Sequence, residues 1–165
     1  MPMFEVSTQA YASKREHYDD LCRQARGLLE GEPDMIANAA NFSALVYHGL
    51  PDLNWCGFYL YDGTELVVGP FQGKPACIRI ALGRGVCGTA AQTRETQVVR
   101  DVHEFDGHIA CDAASQSEIV VPLVRADGRL FGVWDVDSPS VARFDDEDRA
   151  GMEALCAVFM DSLKG

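Results

Sequence analysis

Apolar residues recur with helical spacing along the first part of the chain. Tyr18, Leu21, Cys22, Ala25, Leu28 and Leu29 share one face of a helix predicted from about Ser13 to Glu30. Gly31-Glu32-Pro33 breaks the pattern, and a second helix follows to about Tyr47, with Pro33 suited to its first turn. The period then shortens to that of strands: Trp55 to Tyr61, Glu65 to Gly69 and Ala76 to Ile80. Asp62-Gly63 marks a hairpin between the first two, and Gln72-Gly73-Lys74-Pro75 separates the third. Gly83-Arg84-Gly85 leads into a short helix at about Val86 to Thr93, followed by a strand near Gln97 to Arg100. Glu118 to Arg125 and Arg129 to Val136 form a hairpin around Ala126-Asp127-Gly128. A last helix runs from about Asp145 to Leu163, opened by Asp145 as N-cap and Asp148 three residues on.

The order αα-βββ-α-βββ-α predicts an α+β fold, a mainly antiparallel sheet of about six strands with helices packed against it. With 165 residues and no repeat, linker or low-complexity stretch, residues 1–165 read as a single domain. The stretch Asp101 to Ser117 follows neither period. A connection of that length inside a compact domain is usually a lid or a binding segment.

Charge narrows the partners. A formal net charge of -11 argues against nucleic acid, which demands clustered Lys and Arg. No apolar run reaches the roughly 20 residues of a membrane span, and the N-terminus lacks the apolar core of a signal peptide, so a cytoplasmic protein is expected. Thiols are normally kept reduced there, and disulfides are transient and catalytic. With no CxxC pair and no HExxH, no metal site is expected.

The six cysteines then separate by context. Cys22 and Cys156 lie on apolar helical faces, and Cys56 lies in the strand NWCGFYLY, so these three read as core. Cys111 sits in the long loop, where packing gives little reason for cysteine, with His103, His108 and Asp112 near enough in sequence to influence its protonation. Cys87 stands at a helix start after Arg84, which suits either a stabilised thiolate or a small packing residue beside Gly88, Ala90 and Ala91. Cys77 alternates with Arg79 on one strand face while Ile78 and Ile80 take the other, and its local pattern favours a structural thiol.

Glu118 at a strand start and Asp135 and Asp137 at a strand end are expected to approach one another across the last hairpin, whose turn lies near 127. Clustered carboxylates raise one another's pKa, so one of them becomes a candidate general acid. Trp55, Tyr59 and Tyr61 alternate onto one strand face and are candidates for an apolar pocket wall, or simply for core.

The segments NWCGFYLY, ACIRIALGRGVCGTAA, HIACDAASQSEIVVPL, LFGVWDVDSPS and FDDEDRAGMEAL resemble the free methionine-(R)-sulfoxide reductases, catalytic members of the GAF-domain family. The resemblance covers about two thirds of the chain and includes a cysteine trio that ordinary GAF sensor domains lack. It implies thiol-dependent reduction of free L-methionine-(R)-S-oxide to L-methionine. Cys111 would be the nucleophile, Cys77 the resolving cysteine, and Cys87 a third, alternative resolving thiol. It further implies Glu118, Asp135 and Asp137 in the substrate pocket, with Glu118 or Asp137 as proton donor, and Trp55 with Tyr59 as the aromatic wall. No bound cofactor is implied: electrons come from an external thioredoxin-like reductant, and a homodimer is left open. The competing classes are a ligand-binding GAF sensor module and a thiol redox sensor without turnover.

Overall fold

The computed structural model describes residues 4, 10–107 and 112–164. Helix α1 (Lys14–Leu29) begins where Ser13 Oγ accepts a hydrogen bond from the Glu16 N–H at 3.1 Å. Its buried residues Tyr18, Leu21, Cys22, Ala25 and Leu29 are those of the expected stripe. Helix α2 (Met35–Gly49) is capped by Asp34, whose carboxylate accepts from the Ala37 N–H at 2.8 Å. Pro33 therefore lies before the cap rather than in the first turn, because Asp34 supplies the capping oxygen.

Strands β1 (Trp55–Tyr61), β2 (Glu65–Gly73), β3 (Arg79–Ala81), β4 (Gln97–Val99), β5 (Ser117–Val124) and β6 (Leu130–Ser138) form one antiparallel sheet in the order β3-β2-β1-β6-β5-β4. Helix α3 (Gly85–Thr93) comes between β3 and β4, and α4 (Asp146–Ser162) closes the chain. The strand expected from Ala76 shrinks to three residues, while β2 runs on to Gly73 to pair with the whole of β1. Ile78 is consequently not a buried partner of Ile80: it is 67% exposed, against 5% for Ile80.

Strand parity divides the interior in two. Cys56 and Phe58 of β1, Ile119, Val121 and Leu123 of β5, and Trp134 and Val136 of β6 pack with α1, α2 and α4. Trp55, Tyr59, Val120 and Val133 point the other way, toward α3. Cys22, Cys56 and Cys156 are buried free thiols of the helix-side core, as their spacing predicts. Helices α1 and α4 touch closely at Gly151, where a Cβ would lie 2.1 Å from the Tyr18 ring. The Tyr18 hydroxyl donates to Asp148 Oδ1 at 2.7 Å, and Asp145 and Asp148 complete the expected capping box. This face is scaffold, and the opposite one holds the polar groups.

Candidate active site

The hairpin β5–β6 carries three acids on the α3 side. Glu118 lies directly opposite Asp137, and Asp135 is the next residue on that face. A bulge in the hairpin sets this register, which a plain turn centred on 127 would not give. Val124 pairs with Leu130 and Leu123 with Gly132, which leaves Phe131 as an extra residue and moves the register. The carboxyl groups still converge. Glu118 is 6% and Asp135 5% exposed, while Asp137 is half-buried at the rim.

Helix α3 covers these acids. A Cβ on Gly88 would stand 2.4 Å from the Ala81 carbonyl, so glycine lets the first turn of α3 press against the end of β3. Cys87, on that turn, is buried, with its Sγ 4.0 Å from Glu118 Oε2. Donor atoms of Cys87, Glu118 and Asp135 all lie within 4.8 Å of one another. Trp55 and Tyr59 form one wall, their rings stacked at 5.9 Å, and Pro75, Ala76 and Ile80 form another. Tyr61 is not part of the wall: its hydroxyl turns to the Gly63 carbonyl at the hairpin end.

Burial is the main cause of the site's unusual acidities. It raises Glu118 well above the ordinary carboxyl range, and the charge of Asp135 adds to the effect. Asp135 is raised by burial and then by Asp137, and Asp137 by burial and then by Glu118. Each of these acids therefore holds its proton to a higher pH than a surface acid does. Cys87 is likewise pushed well above the usual thiol range, first by burial and then by the three acids. Of the two readings its position at a helix start left open, burial and the neighbouring acids favour the packing residue over the thiolate, and Arg84 is exposed.

Cys77 is disulfide-bonded, whereas Cys87 is a free thiol. The two wall aromatics also hold the Cys77 segment. Trp55 Nε1 donates to the Lys74 carbonyl at 3.1 Å, and the Tyr59 hydroxyl donates to the Cys77 carbonyl at 3.0 Å. Cys111 and His108 lie outside the described residues. His103 is engaged locally, with Nδ1 2.9 Å from Asp101 Oδ1.

Sequence reasoning missed Asn54. Its Nδ2 donates to Asp112 Oδ2 and Ser115 Oγ, each at 3.0 Å, and its backbone N–H donates to the Asp137 carbonyl at 3.0 Å. Asn54 thus fastens the stretch following Cys111 to the start of β1 and the end of β6. A single asparagine before a strand gives no sequence signal of this, because its partners are 58 and 61 residues away. Asn54→Ala is expected to lower kcat by about 10²-fold, the scale of a small misplacement of reacting groups. Steady-state kinetics of the sulfoxide reduction that the sequence resemblance implies, with thermal melting as control, check this: unchanged kcat in a folded variant contradicts it.

The chain matches the GAF domain family over residues 35–163. A free methionine-R-sulfoxide reductase of Escherichia coli (strain K12) is 54% identical over 145 residues, 88% of this chain and 87% of that protein. The chain belongs to the free methionine-R-sulfoxide reductases of the GAF-domain family. It is accordingly an oxidoreductase. The crystal structure of the free methionine-R-sulfoxide reductase from Neisseria meningitidis in complex with its substrate superposes with a TM-score of 0.91 at 39% identity, covering 98% of this chain and 96% of that one. A protein from Burkholderia vietnamiensis provisionally named a GAF sensor superposes at 0.90 with 75% identity, covering 93% and 100%. Among the described residues no helix is long and apolar enough to cross a membrane. Of the family positions inferred from sequence, the fold gathers Trp55, Tyr59, Cys87, Glu118, Asp135 and Asp137 around one pocket, with the Cys77 segment alongside.

Proposed function

We propose that this protein reduces free L-methionine-(R)-S-oxide to L-methionine with electrons from its own cysteines. The observation that carries the reading is a pocket combining acids whose pKa burial raises with an aromatic wall, next to a disulfide-bonded cysteine. Trp55 and Tyr59 receive the methyl end of the substrate. Asp135 Oδ1 and Asp137 Oδ1 are buried atoms with no hydrogen-bond partner among the described residues, and they suit the ammonium group of a free amino acid.

In the proposed reaction the thiolate of Cys111 attacks the sulfoxide sulfur while Glu118 or Asp137 gives its proton to the oxygen. Methionine leaves, and the oxygen remains on Cys111 as a sulfenic acid. A second thiol attacks that sulfur, expelling water and closing a disulfide. Cys77 fits this resolving step better than Cys87, because Cys77 is the one engaged in a disulfide and Cys87 is a buried thiol of raised pKa. The net change is one sulfoxide and two thiols to one thioether, one disulfide and one water. A thioredoxin-type dithiol then restores the thiols. No bound cofactor enters the scheme.

Side-by-side assay of free methionine-(R)-sulfoxide and the same residue within a tripeptide tests the reading, with methionine release as readout. Reduction of the free amino acid at least about 10²-fold faster is expected, since peptide bonding removes the ammonium that the acids recognise. Equal rates refute the reading, and binding without methionine release makes the protein a sensor.

A further inference from the structure

The spacing of cysteines and histidines along the chain offers no metal site, yet the fold assembles a donor set from α3, β5 and β6. We propose that Cys87, Glu118 and Asp135 take up a thiophilic divalent cation, Zn²⁺ or its analogue Co²⁺, and that the bound ion blocks the pocket to substrate. The blocking half rests on the reductase reading given above; the uptake half does not.

The geometry is close to what such an ion requires. Three donor atoms lie within 4.8 Å of one another, and the sulfur–oxygen separation is 4.0 Å. A tetrahedral zinc with bonds of about 2.3 Å to sulfur and about 2.0 Å to oxygen holds those atoms roughly 3.5 Å apart. The Cys87–Glu118 pair needs to draw in by about half an ångström, and the widest pair of the set by at most about 1.5 Å, within reach of side-chain rotation. Asp135 lines the pocket and is 5% exposed, and its Oδ1 has no hydrogen-bond partner among the described residues. Neither Asp135 nor Asp137 takes part in an ion pair there. A dication supplies positive charge to these two aspartates. One thiolate with two carboxylates selects zinc-like ions over magnesium or calcium, which prefer oxygen alone. As the metal–sulfur bond forms, the thiol proton passes to solvent. Three protein ligands leave a fourth position, in a pocket that Trp55 and Tyr59 also line.

Cobalt titration of the disulfide form without reductant tests uptake directly. Cys77 is closed in that form, and Cys22, Cys56 and Cys156 are buried in the opposite core. A thiolate-to-cobalt charge-transfer band saturating at one ion per chain is expected, displaced by Zn²⁺ and lost in Cys87→Ser. Absence of the band in the wild type, or its survival in Cys87→Ser, overturns the site. Circular dichroism checks that each variant is folded. If Cys87→Ser is not, Asp135→Asn decides: its cobalt affinity should fall at least about tenfold, and unchanged affinity overturns the site. With a thioredoxin-type reductant, Zn²⁺ should raise the apparent KM for free methionine sulfoxide reversibly with EDTA. A band with unaltered kinetics removes the blocking half. A band in protein that releases no methionine even after EDTA leaves the site standing and fails the reductase reading.

Discussion

Serine in place of Cys111 is expected to abolish methionine release even in a single turnover, a loss of at least about 10⁴-fold, because a catalytic unit without its nucleophile retains only binding and positioning. Stoichiometric enzyme, reduced beforehand and mixed with free methionine-(R)-sulfoxide, gives the measurement. Cys77→Ser should behave differently. It should release one methionine per chain and stop, with a sulfenic acid that can be trapped by dimedone, because the resolving step comes after product formation. Cys87→Ser should continue past one equivalent. If instead Cys87→Ser stops at one and Cys77→Ser turns over, the resolving roles are exchanged. Substantial methionine from Cys111→Ser removes the nucleophile assignment altogether.

The second large effect concerns pH. Glu118 and Asp135 have folded-state pKa values raised well above those of the unfolded chain, so across the interval between the two values the folded state holds protons that the unfolded state releases. Stability is therefore fully present below the unfolded values, about 4, and falls as pH rises toward the folded ones. Melting in chelator-treated buffer should show a higher Tm at pH 6 than at pH 8, and Asp135→Asn should flatten that slope. At pH 8 the variant should melt at least about 3 °C higher, since roughly 1 kcal/mol corresponds to about 2–4 °C for a chain of this size. Its KM for free methionine sulfoxide should rise at least about tenfold, because stability is gained by removing a recognition group. A parallel fall in Tm with pH in wild type and variant contradicts the argument.

The elements were largely legible because each was signalled locally. Ser13 and Asp145 supplied caps, and helical spacing placed Cys22 and Cys156 in the core. Alternation also brought Glu118, Asp135 and Asp137 to one face. What escaped was set by contacts between distant segments. The hairpin register depended on a bulge at Phe131 that no turn residue announces. The acidity of Cys87 depended on its burial and then on acids that β5 and β6 deliver beside it, where the local pattern left thiolate and packing residue both open. Residues 76–78 looked like strand because isoleucine alternates there, but the β2–β3 register begins at Arg79, Ile78 adding only its carbonyl to Val68, and the Ile78 side chain faces water. The anchoring role of Asn54 was invisible for the same reason.

The two hydrogen bonds from Trp55 and Tyr59 to the backbone at Lys74 and Cys77 have an evolutionary consequence. The rings that set the width of the pocket are also the fasteners of the segment that carries Cys77. Trimming either ring to admit a bulkier sulfoxide loosens that segment in the same step. Variants selected for broader substrate range should therefore gain first turnovers and lose later ones, unless a compensating change elsewhere fastens residues 74–77 again.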